Sequence, residues 1–173
     1  MFRILVLNPG STSTKAAVYQ DEHPLMVKSF PHTNQDLAPY PTLNDQLDYR
    51  VALVRGWLGQ EGFDLASLSA AVGRGGIIPN IVAGGYLVDD QLEDCLLHHT
   101  VFDHASNLGG LMARSFAKPL NIPAYIYDAV TSDELLPEAP GLRRSPAPAS
   151  ATFSTPGLWA TSTPRPWAGG MRI

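Results

Sequence analysis

The sequence predicts an α/β protein in which a meander of three strands precedes αβ units, with a tail that does not fold. Three observations carry that prediction. Short β-branched and aliphatic runs open the chain, beginning with Phe2–Leu7. Longer stretches with apolar residues at helical spacing follow, interleaved with further short apolar runs. From Pro137 onward the aliphatic residues almost vanish, and between Ser145 and Gly170 only Leu158 remains of that class.

Phe2–Leu7 is apolar at almost every position and reads as a strand buried on both faces. Ala16–Tyr19 reads as a second strand after an Asn8–Lys15 turn, and His23–Phe30 as a third, which makes a hairpin meander economical. Asn44–Glu61 places Leu47, Val51, Val54, Trp57 and Leu58 on one helical stripe, with Asn44 as N-cap and Gly62 as the stop. Ala70–Val72 is a strand running into a Gly-Arg-Gly-Gly turn, and Tyr86–Val88 is another short strand. Asp89–His98 reads as a helix with acids in its first turn, where the helix dipole favours them. A second helix spans Ala105–Lys118 and stops before Pro119; Ala124–Asp128 is a strand whose last residue is an acid.

A chain of 173 residues is long enough for one good core. The formal net charge of -4 argues against a nucleic-acid partner, which calls for a basic surface. A single cysteine, Cys95, excludes an internal disulfide and suits a reducing compartment. The apolar start is too short for a signal peptide, and no apolar run approaches the roughly 20 residues of a membrane helix. The expectation is a cytoplasmic protein with no membrane and no nucleic-acid partner. The folded lobe is expected over residues 1–136. Residues 137–173, rich in Pro, Ala, Ser and Thr with no acid after Glu138, hold too little apolar surface to offset their ordering entropy and are expected to be disordered.

The stretch Asn8-Pro9-Gly10-Ser11-Thr12-Ser13-Thr14-Lys15 sits between two strands. Gly10 gives backbone freedom that lets successive N–H groups converge on one spot. Four hydroxyl residues add donors, Lys15 adds a compact positive charge, and Asn8 offers a carboxamide oxygen for a magnesium shell. These groups suit a phosphate undergoing transfer, where catalysis is mostly positioning and charge stabilisation. They do not form a Walker A loop, because the lysine opens a strand rather than a helix. The same composition also suits a polar hairpin turn.

Arg74 lies among Gly73, Gly75 and Gly76 just after a strand, where its guanidinium fork matches a carboxylate or phosphate; an exposed turn arginine is the plainer reading. Asp128 ends a strand, the place where α/β sites collect catalytic groups, and also an ordinary place for a cap. His104-Ala105-Ser106-Asn107-Leu108-Gly109-Gly110 opens a helix with small residues that suit either a ligand or close helix packing. His98 and His99 lack metal-ligand spacing and read as surface residues. Asp133 and Glu134 read as a solvated acidic turn.

Taken together, LVLNPGSTSTKAAVY, AVGRGG, GGYLV, HASNLGG and IPAYIYDAVTSDEL resemble, in order and spacing, the butyrate kinase branch of the acetate and propionate kinase superfamily. The resemblance covers roughly Phe2 to Leu136. It implies the actin-like, ribonuclease H-like fold, of which this chain would be the N-terminal lobe. It also implies reversible transfer of the terminal phosphoryl group of ATP to a short-chain carboxylate such as butyrate. By resemblance Asn8 would help hold Mg²⁺, and Gly10, Ser11, Thr12, Ser13 and Lys15 would contact ATP phosphates. Arg74, with Gly75, Gly76, His104 and Asn107, would hold the carboxylate substrate, and Asp128 would be the essential acid. A carboxylate is already ionised at neutral pH, so Asp128 is expected to orient groups or serve the metal rather than act as a base. Full-length members of the family are expected to be homo-oligomers.

The chain departs from that family after residue 136. Nothing in it resembles the second lobe with its adenosine site, and a family segment Ser-Ile-Phe-His-Ala is missing. Synonymous codons for Thr152–Pro156, read from their third base, give Ile-Phe-His-Ala, so a shifted reading frame is the expectation for the tail. The polypeptide alone is expected to be a damaged or impaired kinase. The alternative is a non-catalytic phosphate- or nucleotide-binding lobe.

Overall fold

The computed structural model describes residues 1–79, 81–100 and 102–132. The expected boundary near residue 136, the tail with its reading-frame question, and the Asp133–Glu134 turn lie outside them. Strands β1 (Arg3–Pro9), β2 (Ser13–Gln20) and β3 (His23–Pro31) form the expected antiparallel meander. A short helix α1 (Asn34–Leu37) and the long α2 (Gln46–Gln60) lead to β4 (Ala70–Arg74), which lies parallel to β1. Then come β5 (Gly85–Leu87), α3 (Asp90–His98), α4 (Leu108–Ala117) and β6 (Ala124–Tyr127). The result is one six-stranded sheet in the order β3-β2-β1-β4-β6-β5, with β1, β4 and β6 parallel at its centre. Among the described residues no helix is long and apolar enough to cross a membrane.

Local chemistry explains most boundaries. Asp89 caps α3 by accepting from the Leu92 amide at 2.9 Å. The stop at Gly62 is real: its φ of +68° is open to glycine, and the Phe63 amide reaches back to the Leu58 carbonyl at 2.9 Å. Three expected boundaries need correction. The residue before α2 is Asp45, not Asn44; Asn44 instead donates to the Leu97 carbonyl, tying the start of α2 to the end of α3. The expected single helix over Ala105–Lys118 is a 3-10 turn (Ala105–Asn107), then α4, then a second 3-10 turn (Lys118–Leu120). The expected eight-residue turn is much shorter, because β1 runs on to Pro9 and β2 starts at Ser13. Asn8 and Lys15 are therefore cross-strand partners rather than loop residues.

The core lies on one side of the sheet. Leu5, Leu7, Ala16, Val18, Ala71, Ala124 and Ile126 face α2, α3 and α4 and are buried. Helix α4 crosses β1, β4 and β6 and touches α2 and α3. The strand β1 was expected to be buried on both faces, yet its burial alternates: Ile4 and Val6 are only half-buried. The register carries that pattern across the sheet, with Val6 opposite Val72 and Val72 opposite Tyr125, all half-buried. The three longer helices all pack on the other face, so among the described residues β1 behaves as a strand with one dry side.

The glycines of β4 and α4 make that packing possible. A Cβ on Gly73 would sit 2.0 Å from the Gly109 carbonyl oxygen, and one on Gly109 would sit 2.5 Å from the Arg74 carbonyl oxygen. Backbone meets backbone there, with no flexible side chain to give way. Gly73→Ala is expected to cost at least about 3 kcal/mol in urea unfolding, as overpacking against a rigid neighbour does. Gly56, in the exposed interior of α2, has no neighbour within 4 Å of the place a Cβ would take. Gly56→Ala is expected to stabilise by about 0.5–1 kcal/mol through helix propensity, in the same assay.

Candidate functional site

Four of the expected residues gather at one edge of the sheet. Asn8 lies at the C-terminal end of β1, Arg74 ends β4, and Asp128 follows β6 by one residue. In α/β sheets this edge is where ligands collect, outside the carboxyl ends of parallel strands. Lys15, on β2, is the register partner of Asn8. Leu7 pairs with Gly73 and side chains alternate along strands, so Asn8, Lys15 and Arg74 all project from the face opposite the helices.

Arg74 already has a partner. Its Nε and Nη2 both reach the Asp128 Oδ2 at 2.8 Å. The two side chains are 60% and 50% exposed, so water screens the pair and it adds at most about 1 kcal/mol to stability. Asp128 has φ +58°, a left-handed conformation that costs most residues free energy and that Asp and Asn tolerate best. The loops behind the pair are tied by backbone bonds, Gly75 N–H to the Tyr127 carbonyl at 3.0 Å and Val130 N–H to the Gly76 carbonyl at 2.9 Å.

The hydroxyl-rich turn is closed by the Gly10 amide donating to the Ser13 carbonyl at 2.7 Å. Gly10 is not among the glycines of positive φ, so the backbone freedom expected of it is not what this turn uses. Ser11 and Thr12 are exposed and Ser13 is half-buried, all open to a ligand. Thr14 is different. It is 0% exposed, on the core face of β2, and its Oγ1 bonds inward to Arg50 Nη1 and His32 Nε2, each at 2.8 Å.

Those contacts belong to a network that motif and periodicity did not reveal. Arg50 is 0% exposed; its Nη1 donates to the Gly10 carbonyl at 2.9 Å, and its Nη2 donates to the Gln46 Oε1 at 2.9 Å. His32 is buried too, with Nδ1 unpartnered among the described residues and the Tyr49 ring 5.6 Å away. A signal for Arg50 was present: it falls on the same stripe of α2 as Leu47, Val54 and Trp57, a core position where a charge needs a reason.

The glycines and the Asn107 side chain serve packing. A Cβ on Gly75 would meet Ser106 at 2.6 Å, and one on Gly76 would meet Ile126 at 2.9 Å; both residues are buried and both have positive φ. Asn107 accepts from the Ile77 amide at 2.8 Å and donates to the Phe102 carbonyl at 3.0 Å. The chain after Arg74 is thus held against the turn that leads into α4. His104 is exposed, and its Nδ1 bonds Ser106 Oγ at 2.8 Å. It shares with Ser11 a cavity of about 420 Å³, walled also by Thr42, Gln46, Arg50 and Asp103. The turn and the His104 loop therefore face one another, as separate sequence motifs could not reveal.

The oxygen donors at the sheet edge suit Mg²⁺. No cluster of three or more His, Cys, Asp or Glu able to hold a metal occurs among the described residues. Magnesium does not need one, since it is usually held by one or two protein oxygens together with substrate phosphates and water. The Asn8 carboxamide and the Asp128 carboxylate supply groups of that kind.

The sheet and the helices packed on it define an α/β fold that is shared with an acetate kinase. The structure of Porphyromonas gingivalis acetate kinase matches with a TM-score of 0.53, covering 84% of this chain and 42% of that one at 16% identity, which shows a shared fold. The sequence relatives are more particular. The chain is 42% identical over 134 residues to a probable butyrate kinase of Clostridium botulinum, and 42% identical over 135 residues to butyrate kinase 1 of Clostridium acetobutylicum. Each match covers 78% of this chain and 38% of the relative. No protein-family model matches the chain. The chain is a homologue of the N-terminal part of the butyrate kinases and spans about two fifths of their length.

The ion pair and the buried histidine each have a measurable consequence. Asp128→Asn breaks the Arg74 ion pair yet keeps a residue that tolerates left-handed backbone; its unfolding free energy is expected to stay within about 1 kcal/mol of the parent. His32 titrates below its ordinary 6.5, first because burial disfavours the imidazolium and then because the Arg50 charge repels it, with Asp36 opposing. The unfolded chain therefore takes up this proton first as pH falls. The stability is complete above pH 6.5 and lost from there down to the folded pKa. Urea midpoints measured across that window are expected to fall with acidity, and to fall less in His32→Gln.

Proposed function

We propose that this chain corresponds to the N-terminal, phosphate- and carboxylate-holding lobe of a butyrate kinase, acting in the cytoplasm on ATP and a short-chain acid. The observation that carries the proposal is the gathering of Asn8, Lys15, Arg74 and Asp128 at one sheet edge, beside a turn whose Ser11, Thr12 and Ser13 remain open. The homology to butyrate kinases supports the same reading.

In this reading Lys15 and the Ser11–Ser13 turn hold the phosphates, while Arg74 binds the acid's carboxylate. Asn8 and Asp128 would hold Mg²⁺, which neutralises charge on the phosphoryl oxygens when bound. The acid needs no base, being ionised at neutral pH, so the lobe's work is to align it with the phosphoryl group and offset negative charge. In the free lobe the Asp128 carboxylate takes the Nε and Nη2 edge of the Arg74 guanidinium. A substrate carboxylate would be met by the guanidinium's remaining Nη1 edge.

A second reading, a phosphate- or nucleotide-binding lobe without transfer, is supported by the open setting of the edge, where the Arg74 and Asp128 side chains are 60% and 50% exposed. Phosphoryl transfer depends on closing a site and excluding water, which a single open edge does not do. One assay separates the readings. ATP, Mg²⁺ and butyrate are incubated with the 173-residue chain, and acyl phosphate is trapped with hydroxylamine. Formation no higher than in the enzyme-free control is expected, together with triphosphate binding that Lys15→Ala weakens by about tenfold. Ready turnover would show that the lobe alone is an active kinase; loss of all phosphate binding would remove both readings.

A further inference from the structure

We propose that Arg50 is a positioning residue for the phosphate turn: from inside the protein it fixes the turn's carbonyls and supplies a positive charge whose counter-ion is the bound phosphoryl group. The inference rests on reading that turn as the phosphate-holding one.

The guanidinium touches the turn at both ends. Nη1 donates to the Gly10 carbonyl at 2.9 Å and to Thr14 Oγ1 at 2.8 Å, and lies 3.5 Å from the Ser13 carbonyl. Nε and Nη2 are held by one acceptor, Gln46 Oε1, at 3.3 and 2.9 Å, which locks the fork one helical turn from its own base. The Thr12 carbonyl is taken separately by the His32 amide at 2.8 Å. Three carbonyl-bearing positions of the turn are thus drawn to the protein side. In a trans peptide the N–H points opposite to its carbonyl, so holding the Gly10 oxygen inward aims the Ser11 N–H outward. That is the donor geometry an anion requires.

The charge has a role of its own. Arg50 is fully buried, every acceptor it meets is neutral, and no carboxylate pairs with it among the described ion pairs. Burying an unpaired cation is costly, and burial accordingly lowers its pKa from the usual arginine range. A bracing role alone could be filled by a neutral donor. A phosphoryl group on the outer side of the same turn would supply the missing counter-charge in a region of low effective dielectric. The sequence position of Arg50, 40 residues from Gly10, hides this link from motif reading.

The test uses the ¹⁵N-labelled 173-residue chain and inorganic tripolyphosphate, followed by amide shifts, with melting temperature recorded for every variant. The parent is expected to show saturable shifts at Ser11 and Ser13. Arg50→Met, which keeps volume but not charge, is expected to weaken that affinity by about tenfold or more, and Arg50→Lys to restore part of it. Gln46→Glu gives the guanidinium an internal carboxylate: melting is expected to hold or rise while tripolyphosphate binds about fivefold more weakly. If Arg50→Met does not fold, Gln46→Glu carries the test. Parent-like affinity in a folded Arg50→Met, or in Gln46→Glu where that variant alone is folded, overturns the role of Arg50. No response of the parent amides overturns the phosphate reading of the turn and this inference with it.

Discussion

The contact between the backbones of Gly73 and Gly109 sets the depth at which α4 lies on the sheet, and much else follows from that depth. With α4 so close, Gly75 rests on Ser106 and the Asn107 amide reaches the Ile77 N–H. The path of the chain after β4 is thereby fixed, and with it the point from which Arg74 leaves the sheet. The same closeness seats Gly110 against Leu96 and Ile126, joining α3, α4 and β6 in one core. A methyl group in the middle of this contact would move the edge that carries the candidate site, although it touches no ligand.

The site divides its charges between two faces. Lys15 and Arg74 stand on the solvent-facing side of the sheet edge, where side chains can reorient. Arg50 lies beneath the turn, fully buried and hydrogen-bonded to Gly10, Thr14 and Gln46. In the proposed function the outer pair would meet the ligand while the inner charge keeps the turn's donors aimed; such pre-organisation lowers the reorganisation needed when charge moves. His32 shares the inner region, and its buried neutral ring keeps a second cation from forming beside the first near neutral pH.

Much of this was legible in the sequence because it rests on local periodicity. The α2 stripe of Val51, Val54, Trp57 and Leu58, the Gly62 stop and the α3 acids were all readable from spacing. The candidate residues Asn8, Lys15, Arg74 and Asp128 were legible as residue types at strand ends, but their convergence depends on strand order and register. The turn's true length was hidden because Asn-Pro-Gly suggests a loop while cross-strand pairing carries Asn8 and Pro9 into the ladder. Gly75, Gly76 and Asn107 suit close approach of any partner by residue type, and their neighbours in the fold, Ser106, Ile126 and the Ile77 amide, are set by tertiary packing that spacing does not show. Arg50 is hidden because a charge interrupts the apolar stripe of α2 and its meaning depends on a turn 40 residues away in the chain.

The Arg74–Asp128 pair and the backbone bonds behind it differ in their response to salt. The ion pair is half open to solvent, so raising ionic strength above physiological values shortens the reach of its attraction to about 3–8 Å. The bonds from Gly75 to Tyr127 and from Val130 to Gly76 involve neutral groups, which mobile ions do not screen. Added electrolyte thus loosens the grip of one side chain on the other while the loops that present them stay in register. The edge behaves as a clasp on a rigid mount: it opens by letting go of a charge, with no strand displaced.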